Sequence, residues 1–287
     1  MRKLLIALTA VMCSLYASAD EGMWMLSHIN SKTAENMKAL GINLTPEQLY
    51  NPNGRSLKDA IINLGDFCSG VVVSPEGLFF TNHHCGYGAI QALSTPEDDI
   101  LKNGFVAKKR EQERPARGLY VRFLDRVEDC TERVNKELSR LYKEKAGAMD
   151  SAQVESAYVD SICNALEREF NNANEGLECR VASYYGGNAF YANFYKVYHD
   201  IRLVFTATET LGKFGGDTDN WMWPRQTCDF SVFRIYADKD GQPAEYSEEN
   251  VPLQVENYAR ISTEGYRNGD FCMTVGYSGS TSRYLSS

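Results

Sequence analysis

The sequence predicts a mainly β protein with helical excursions, and three observations carry that prediction. Between residues 68 and 81, two runs rich in β-branched and aromatic residues flank a turn that contains Pro and Gly. Further runs with a period of two lie at 201–206, 230–236 and 271–275. Between residues 130 and 175 the apolar period changes to that of an amphipathic helix. At 287 residues and 43% hydrophobic composition, such a chain is able to bury a core.

The charge balance excludes one class of partner. The chain has 30 Lys and Arg against 38 Asp and Glu, a formal net charge of −8. An acidic surface does not attract a phosphate backbone, so we expect no nucleic-acid partner. A membrane span needs roughly 20 consecutive apolar residues. The sequence contains no such run, so we expect no membrane span.

The first 19 residues have the pattern of a secretory signal. A basic pair precedes an apolar run at 4–12, and Ala17-Ser18-Ala19 forms a small-residue cleavage site before Asp20. We therefore predict that residues 1–19 are a signal peptide. The mature protein is then exported, to the periplasm, the cell surface or the medium.

Export also changes what the cysteines indicate. Cleavage after residue 19 removes Cys13 and leaves seven of the eight cysteines in an oxidising compartment. Pairing is then favoured over metal binding, and one of the seven thiols remains unpaired or finds a partner outside this chain. No partners are assigned by the sequence to Cys130, Cys163, Cys179, Cys228 and Cys272.

Two amphipathic helices are predicted at 131–145 and 150–170. The first carries Val134, Leu138 and Leu141 on one face, and the second repeats the same spacing as far as residue 170. The second ends near Asn174-Glu175-Gly176, which is typical of a helix stop.

The hairpin at 68–81 leads into the most informative motif. Cys68 opens the first strand, and the second strand leads into Thr81-Asn82-His83-His84-Cys85. We predict a disulfide between Cys68 and Cys85, because both flank one hairpin in an exported protein. Such a bridge would fix a histidine at the strand end, as in the chymotrypsin-like serine proteases. His84 is the candidate general base, and strand alternation predicts that His83 points to the opposite side.

The alternatives for this motif are a chance metal cluster and plain core filling. Adjacent residues of a strand face opposite sides, so His83 and His84 cannot easily share one ion. An oxidised cysteine is also a poor metal ligand. We therefore predict no metal site.

A histidine base needs a carboxylate that orients its ring. The stretch 215–230 offers Asp217, Asp219 and Asp229. Asp229 lies at the head of a predicted strand, and a rigid strand end suits an orienting group better than a loop does. The alternative for Asp229 is an ordinary exposed strand start.

Three segments carry a resemblance to a known family. They are Thr81-Asn82-His83-His84-Cys85-Gly86-Tyr87, Phe214-Gly215-Gly216-Asp217-Thr218-Asp219-Asn220-Trp221-Met222-Trp223-Pro224-Arg225 and Val275-Gly276-Tyr277-Ser278-Gly279. The chain resembles the bacterial dipeptidyl-peptidases that include dipeptidyl-peptidase 7 and dipeptidyl-peptidase 11. Those proteins are exported serine exopeptidases, with a chymotrypsin-like double β-barrel into which a large helical domain is inserted.

The resemblance implies a role for four residues. His84 becomes the general base and Asp229 its orienting carboxylate. Asn220 becomes a ligand of the substrate's free α-amino group, and Trp221 lines the same pocket, with core packing as the alternative for Trp221. The implied partners are peptides with a free N-terminus, no cofactor is implied, and a homodimer is left open.

Two departures from the family pattern qualify these implications. Ser278 and Ser280 stand where the family tends to carry Pro and Arg. The family's Gly-Asn-Ser-Gly-Ser-like nucleophile stretch does not occur before Ser287. We therefore expect residues 20–276 to be the N-terminal part of a peptidase domain, with 277–287 beginning the helical insertion. The chain alone should then be inactive.

A rival interpretation belongs to another functional class. It is a catalytically dead, exported peptide-binding protein that keeps the same half of the barrel. The two interpretations differ in whether a nucleophile serine follows residue 287 in the same polypeptide.

Overall fold

The computed structural model describes residues 24–213 and 227–278. Its helices are α1 (Ser31–Ala39), α2 (Pro46–Leu49), α3 (His83–Leu93), α4 (Ile100–Asn103), α5 (Thr131–Glu144), α6 (Ser151–Ala173) and α7 (Glu209–Gly212). Its strands are β1 (Ile61–Leu64), β2 (Cys68–Val72), β3 (Leu78–Thr81), β4 (Phe105–Val106), β5 (Arg114–Pro115), β6 (Val121–Asp129), β7 (Glu178–Tyr184), β8 (Ala189–Tyr198), β9 (Asp200–Thr206), β10 (Ser231–Ala237) and β11 (Val251–Pro252). Short 3₁₀ turns lie at Leu26–His28, Leu57–Ala60 and Arg110–Gln112.

The described strands form a single antiparallel sheet. Its order is β4-β9-β10-β3-β2-β1-β6-β8-β7, with β11 beside β10 and β5 beside β9. Strands β3 and β10 are neighbours although about 150 residues separate them, and Thr81 pairs with Ser231. Because the pair is antiparallel, the end of β3 lies opposite the start of β10. The chain after β3 and the chain before β10 therefore meet at one edge of the core.

The main core lies under the middle of this sheet. Phe79 of β3 and Phe233 of β10 are directly paired and fully buried, and their rings stack with centroids 5.7 Å apart. Each buried aromatic ring of this kind contributes about 1.5–3 kcal/mol to the free energy of unfolding. This pair fixes the relative position of the two strands that lead to the site.

The predicted helices pack on the far end of the sheet and form a second core. The helix predicted at 131–145 is α5, and the one predicted at 150–170 is α6, which continues to Ala173. Asp150 begins α6 with a capping box, since its side chain accepts from the Gln153 N–H while the Gln153 side chain accepts from the Asp150 N–H. Both helix predictions are confirmed.

The hairpin prediction is confirmed, and one strand prediction is wrong. β2 and β3 pair antiparallel across the Pro and Gly turn, and β9 and β10 cover the runs predicted at 201–206 and 230–236. Residues 271–275 form no strand. Phe271 packs against the cluster around Met37 and Ile42, and the next three residues are exposed. Among the described residues, no strand pairs with this segment.

Strands β1, β6, β7 and β8 have no counterpart in the predictions. The β8 sequence is almost entirely apolar or aromatic, and six consecutive residues of it are buried. A strand buried on both faces has no alternating pattern, so periodicity does not reveal it. Within 24–213 and 227–278, no helix has both the length and the apolar character that crossing a bilayer requires.

Candidate active site

The junction of β3 and β10 brings His84 and Asp229 together. His84 lies in the first turn of α3, and Asp229 lies two residues before β10. The His84 Nδ1–H donates to Asp229 Oδ2 over 2.7 Å. The His84 side chain is 51% exposed and the Asp229 side chain 16%. A ring held through Nδ1 keeps its lone pair on Nε2, which makes no hydrogen bond within the described residues.

Asp229 also caps the helix that carries His84. Its Oδ1 accepts the backbone N–H of His84 over 3.0 Å, and its Oδ2 accepts from Asn82 Nδ2 over 3.2 Å. A carboxylate is favoured at a helix N-terminus, where backbone N–H groups lack partners. One side chain therefore both orients the imidazole and holds the turn on which it sits.

A disulfide ties this turn to the hairpin. Cys68 at the start of β2 is bonded to Cys85 of α3, with Cα atoms 6.1 Å apart, so the structure contains the predicted bridge. Closing a loop of 17 residues contributes about 3 kcal/mol to the free energy of unfolding in the chain-entropy model. The two sulfurs lie within 4.8 Å of a His84 nitrogen, but in a disulfide they offer no thiolate to a metal.

His83 and His84 diverge, although not for the predicted reason. β3 ends at Thr81, and both histidines lie on α3 rather than on a strand. The His83 ring is 0% exposed and meets the Tyr87 ring edge-on, with centroids 6.1 Å apart. A Cβ added to Gly212 would lie 2.6 Å from the His83 ring, so this glycine packs flat against it. Truncating His83 to alanine would remove a fully buried ring and open a cavity beside Gly212.

The buried His83 ring makes stability sensitive to acid. Neither ring nitrogen has a hydrogen-bond partner among the described residues, and burial lowers the pKa of His83. Below about pH 6.5 the unfolded chain binds a proton that the folded chain excludes, so the free energy of unfolding falls as pH falls. The His83→Leu variant should lack this loss. The difference in free energy of unfolding between the variant and the wild type should therefore shift in favour of the variant when the pH falls from about 7.5 to about 5.5.

Urea unfolding of the purified wild type and variant at the two pH values measures the difference. The exposed His199→Leu serves as the matched surface control. A His83→Leu advantage of the same size at both pH values would contradict the assignment.

Two predicted binding residues lie outside the described residues. Asn220 and Trp221 fall within 214–226. The described residues that flank this stretch are close together, because the Cys228 N–H donates to the Leu211 carbonyl over 2.9 Å. Cys228 is the neighbour of Asp229 in sequence, so both flanks lie beside the His84 and Asp229 pair.

Comparison with known proteins assigns the family. A family model described as Peptidase S46 matches residues 19–287. The chain belongs to the peptidase S46 family. Among curated relatives of this S46 chain, a dipeptidyl-peptidase 7 from Phocaeicola vulgatus is 45% identical over 99% of the chain. An Asp/Glu-specific dipeptidyl-peptidase from Porphyromonas gingivalis is 44% identical over 99% of the chain. The chain spans 39% of the length of each of these two relatives.

Solved structures of related proteins also resemble the S46 chain. A crystal structure of Porphyromonas endodontalis DPP11 in complex with the dipeptide Arg-Glu matches with a TM-score of 0.75 and 41% identity. The match covers 88% of this chain and 35% of that one. A second structure of the same protein, in complex with Arg-Asp, matches with the same TM-score and identity.

Within residues 24–213 and 227–278, the other five cysteines of this S46 chain are not bridged. Cys130, Cys163 and Cys179 are buried in the second core, whereas Cys228 and Cys272 are more accessible. Burial raises the pKa of Cys130 to about 11 and that of Cys179 to about 12. A thiol with so high a pKa is protonated near neutral pH and is a poor nucleophile.

Sequence reasoning missed Asn82, which contacts Asp229, and Ser231, which contacts Asn82. Asn82 donates to Asp229, and the Ser231 hydroxyl donates to the Asn82 carbonyl over 3.1 Å. The position of Asn82 just before the histidines indicates a helix N-terminus there, since Asn is favoured at that position. No local signal could have identified Ser231, because its partner is about 150 residues away in the sequence.

Proposed function

We propose that this chain supplies the general base and the orienting carboxylate of a serine-type dipeptidyl-peptidase. The observation that carries the proposal is the 2.7 Å hydrogen bond between His84 Nδ1 and Asp229 Oδ2, on a ring that is half exposed. Membership of the S46 family and the similarity to proteins named dipeptidyl-peptidases support the same conclusion.

In the proposed reaction, His84 transfers a proton in each of two steps, while Asp229 orients the ring. His84 Nε2 takes the proton of a serine hydroxyl as the serine oxygen attacks the carbonyl of the substrate's second residue. The imidazolium then gives that proton to the leaving amine as the peptide bond breaks. A water molecule, deprotonated by the same nitrogen, then attacks the acyl carbon, and the imidazolium returns the proton to the serine oxygen as the acyl–serine bond breaks and the dipeptide leaves. Asp229 stays ionised and stabilises the imidazolium in each step.

The serine is proposed to lie beyond residue 287. The curated relatives are more than twice as long as this chain, and the family resemblance places the nucleophile after a helical insertion. The proposed fold of the complete protein is a chymotrypsin-like double β-barrel, and the 287-residue chain alone would be inactive without the serine and its oxyanion hole. Reading the gene past codon 287 distinguishes this proposal from the peptide-binding rival.

The proposed substrates are peptides with a free N-terminus. Asn220 would accept from the α-ammonium, and Trp221 would form an apolar wall beside it. The DPP11 structures bound to Arg-Glu and Arg-Asp support a peptide ligand. The relatives include both a dipeptidyl-peptidase 7 and an Asp/Glu-specific enzyme at 45% and 44% identity, so identity favours neither side-chain preference.

Asn220→Ala tests the proposed amino-terminus pocket in the intact protein, which is this chain with any continuation that its gene encodes. Losing a buried hydrogen bond to a charged group costs about 1.5–3 kcal/mol. The kcat/KM for substrates with a free amino group should therefore fall by about tenfold to more than a hundredfold. Steady-state kinetics with fluorogenic dipeptide substrates measure this change.

The exposed Asn36→Ala is the matched control and should retain wild-type kinetics. N-acetylated substrates should be poor for every variant, because acetylation removes the charge that Asn220 is proposed to recognise. If the wild type cleaved N-acetylated peptides as well as free ones, the protein would be an endopeptidase.

We also propose that the protein is exported and that residues 1–19 are removed. The basic pair, the apolar run and the small-residue site before Asp20 support this proposal. Intact mass of the secreted protein should correspond to a chain that begins at Asp20. A mature species that retains residues 1–19 would rule it out.

A further inference from the structure

Asn82 occupies the N-cap of α3 but does not use its side chain as a cap. Its backbone is extended, with φ −67° and ψ 151°, and its side chain makes no capping hydrogen bond. An N-cap Asn normally accepts a backbone N–H from the second or third helical residue. Here the N–H of the second residue, His84, is accepted by Asp229 Oδ1 instead. Asp229 has taken over the capping role, and the Asn82 amide is turned toward it.

The Asn82 amide donates hydrogen bonds to two atoms of Asp229. Asn82 Nδ2 donates to the Asp229 backbone carbonyl and to Asp229 Oδ2, each over 3.2 Å. One donor that contacts both the backbone and the carboxylate of a residue restricts the torsions between them. With Oδ1 held by the His84 N–H, the plane of the carboxylate is fixed and Oδ2 faces His84 Nδ1.

The backbone of Asn82 is itself held against β10. Its carbonyl accepts from the Ser231 hydroxyl and from the Gly86 N–H, each over 3.1 Å. Ser231 is fully buried, and a Cβ added at Gly86 would lie 2.6 Å from its hydroxyl oxygen. The donor therefore sits on a backbone that is anchored close to Asp229.

We propose that Asn82 is a positioning residue for the reaction, acting on His84 through the Asp229 carboxylate. The inference rests on the proposed function, in which His84 carries the proton. Asn82 Nδ2 shares Oδ2 with the His84 Nδ1–H, so it sets both the direction of that oxygen and the electron density that it offers to the imidazolium. Its role is separate from capping, since Asp229 caps the helix.

Asn82→Ser in the intact protein separates the two roles. Serine is as good an N-cap as asparagine, so the thermal midpoint should stay near that of the wild type. Its short hydroxyl cannot reach both acceptor groups of Asp229, so kcat should fall by about tenfold to a hundredfold with little change in KM. The downfield proton resonance of the His84 Nδ1–H should shift or broaden. Asn36→Ser is the matched surface control.

Asn82→Asp replaces the hydrogen-bond donor with a negative charge, and the pH dependence of kcat/KM should report that change. The new carboxylate would lie beside Asp229 and close to His84, where negative charge favours the imidazolium over the neutral ring. The acid limb of the kcat/KM profile should therefore move to higher pH. Ser231→Ala removes only the contact to the Asn82 backbone, so it should lower the thermal midpoint and leave the position of the acid limb unchanged.

Three outcomes would overturn the proposal. One is wild-type kcat with an unshifted resonance in Asn82→Ser, the second is an unmoved acid limb in Asn82→Asp, and the third is identical behaviour of Asn82→Ser and Ser231→Ala. Failure of the proposed function is distinguishable, because the wild type would then release no dipeptides. The resonance and the NMR titration of His84 would still report on Asn82 without any activity.

Discussion

Replacing His84 by alanine should reduce dipeptide release by the intact protein by about 10⁴-fold or more. The ring is held by Asp229 through Nδ1, which leaves Nε2 to take the proton of the proposed serine nucleophile. Without it, only binding and oxyanion stabilisation would remain. The measurement is kcat/KM on a fluorogenic dipeptide substrate, with circular dichroism to confirm the fold.

The matched control for this substitution is His199→Ala, which removes an exposed imidazole far along the sequence from the site. It should retain wild-type kinetics. His84→Ala activity within tenfold of the wild type would eliminate His84 as the base. An inactive His83→Ala variant alone would not eliminate His84 as the base, because truncating the fully buried His83 ring also destabilises the fold.

Asp229→Asn should cost about 10⁴-fold in kcat while the protein stays folded. An amide at this position keeps one oxygen, which can still accept the His84 backbone N–H now bound by Oδ1. Its NH₂ group cannot accept from Nδ1–H, so the ring would turn to the tautomer with its proton on Nε2. With its proton on Nε2, the ring could not take a proton from the proposed serine nucleophile.

Comparing Asp229→Asn with Asp229→Ala separates chemistry from folding. The alanine variant also loses the acceptor for the helix N-terminus, so its thermal midpoint should be lower than that of the asparagine variant. The exposed Asp240→Asn should behave as wild type. If Asp229→Asn kept near-normal kcat, another group would have to orient His84.

Local sequence patterns predicted the strands and helices that bury one face and expose the other. The hairpin of β2 and β3 was recognisable because β-rich runs flank a turn, and α5 and α6 because their apolar residues repeat at helical spacing. Helix α3 was missed, since its first residues read as the end of a strand and its two glycines disfavour a helix. It forms because Asp229 and the disulfide hold its first turn.

The sequence by itself determined the candidate base, the disulfide and the preferred carboxylate, since residue type, spacing and export were enough to propose them. Asn220 and Trp221 stay predictions. Only the tertiary structure decided that Asp229 caps α3, that His83 is buried and that Asn82 and Ser231 join the site. These contacts exist because β3 pairs with β10, which places residues about 150 positions apart within hydrogen-bond distance. No local sequence pattern shows that these distant residues lie within hydrogen-bond distance, because that proximity is set by strand pairing and by the packing of Phe79 on Phe233.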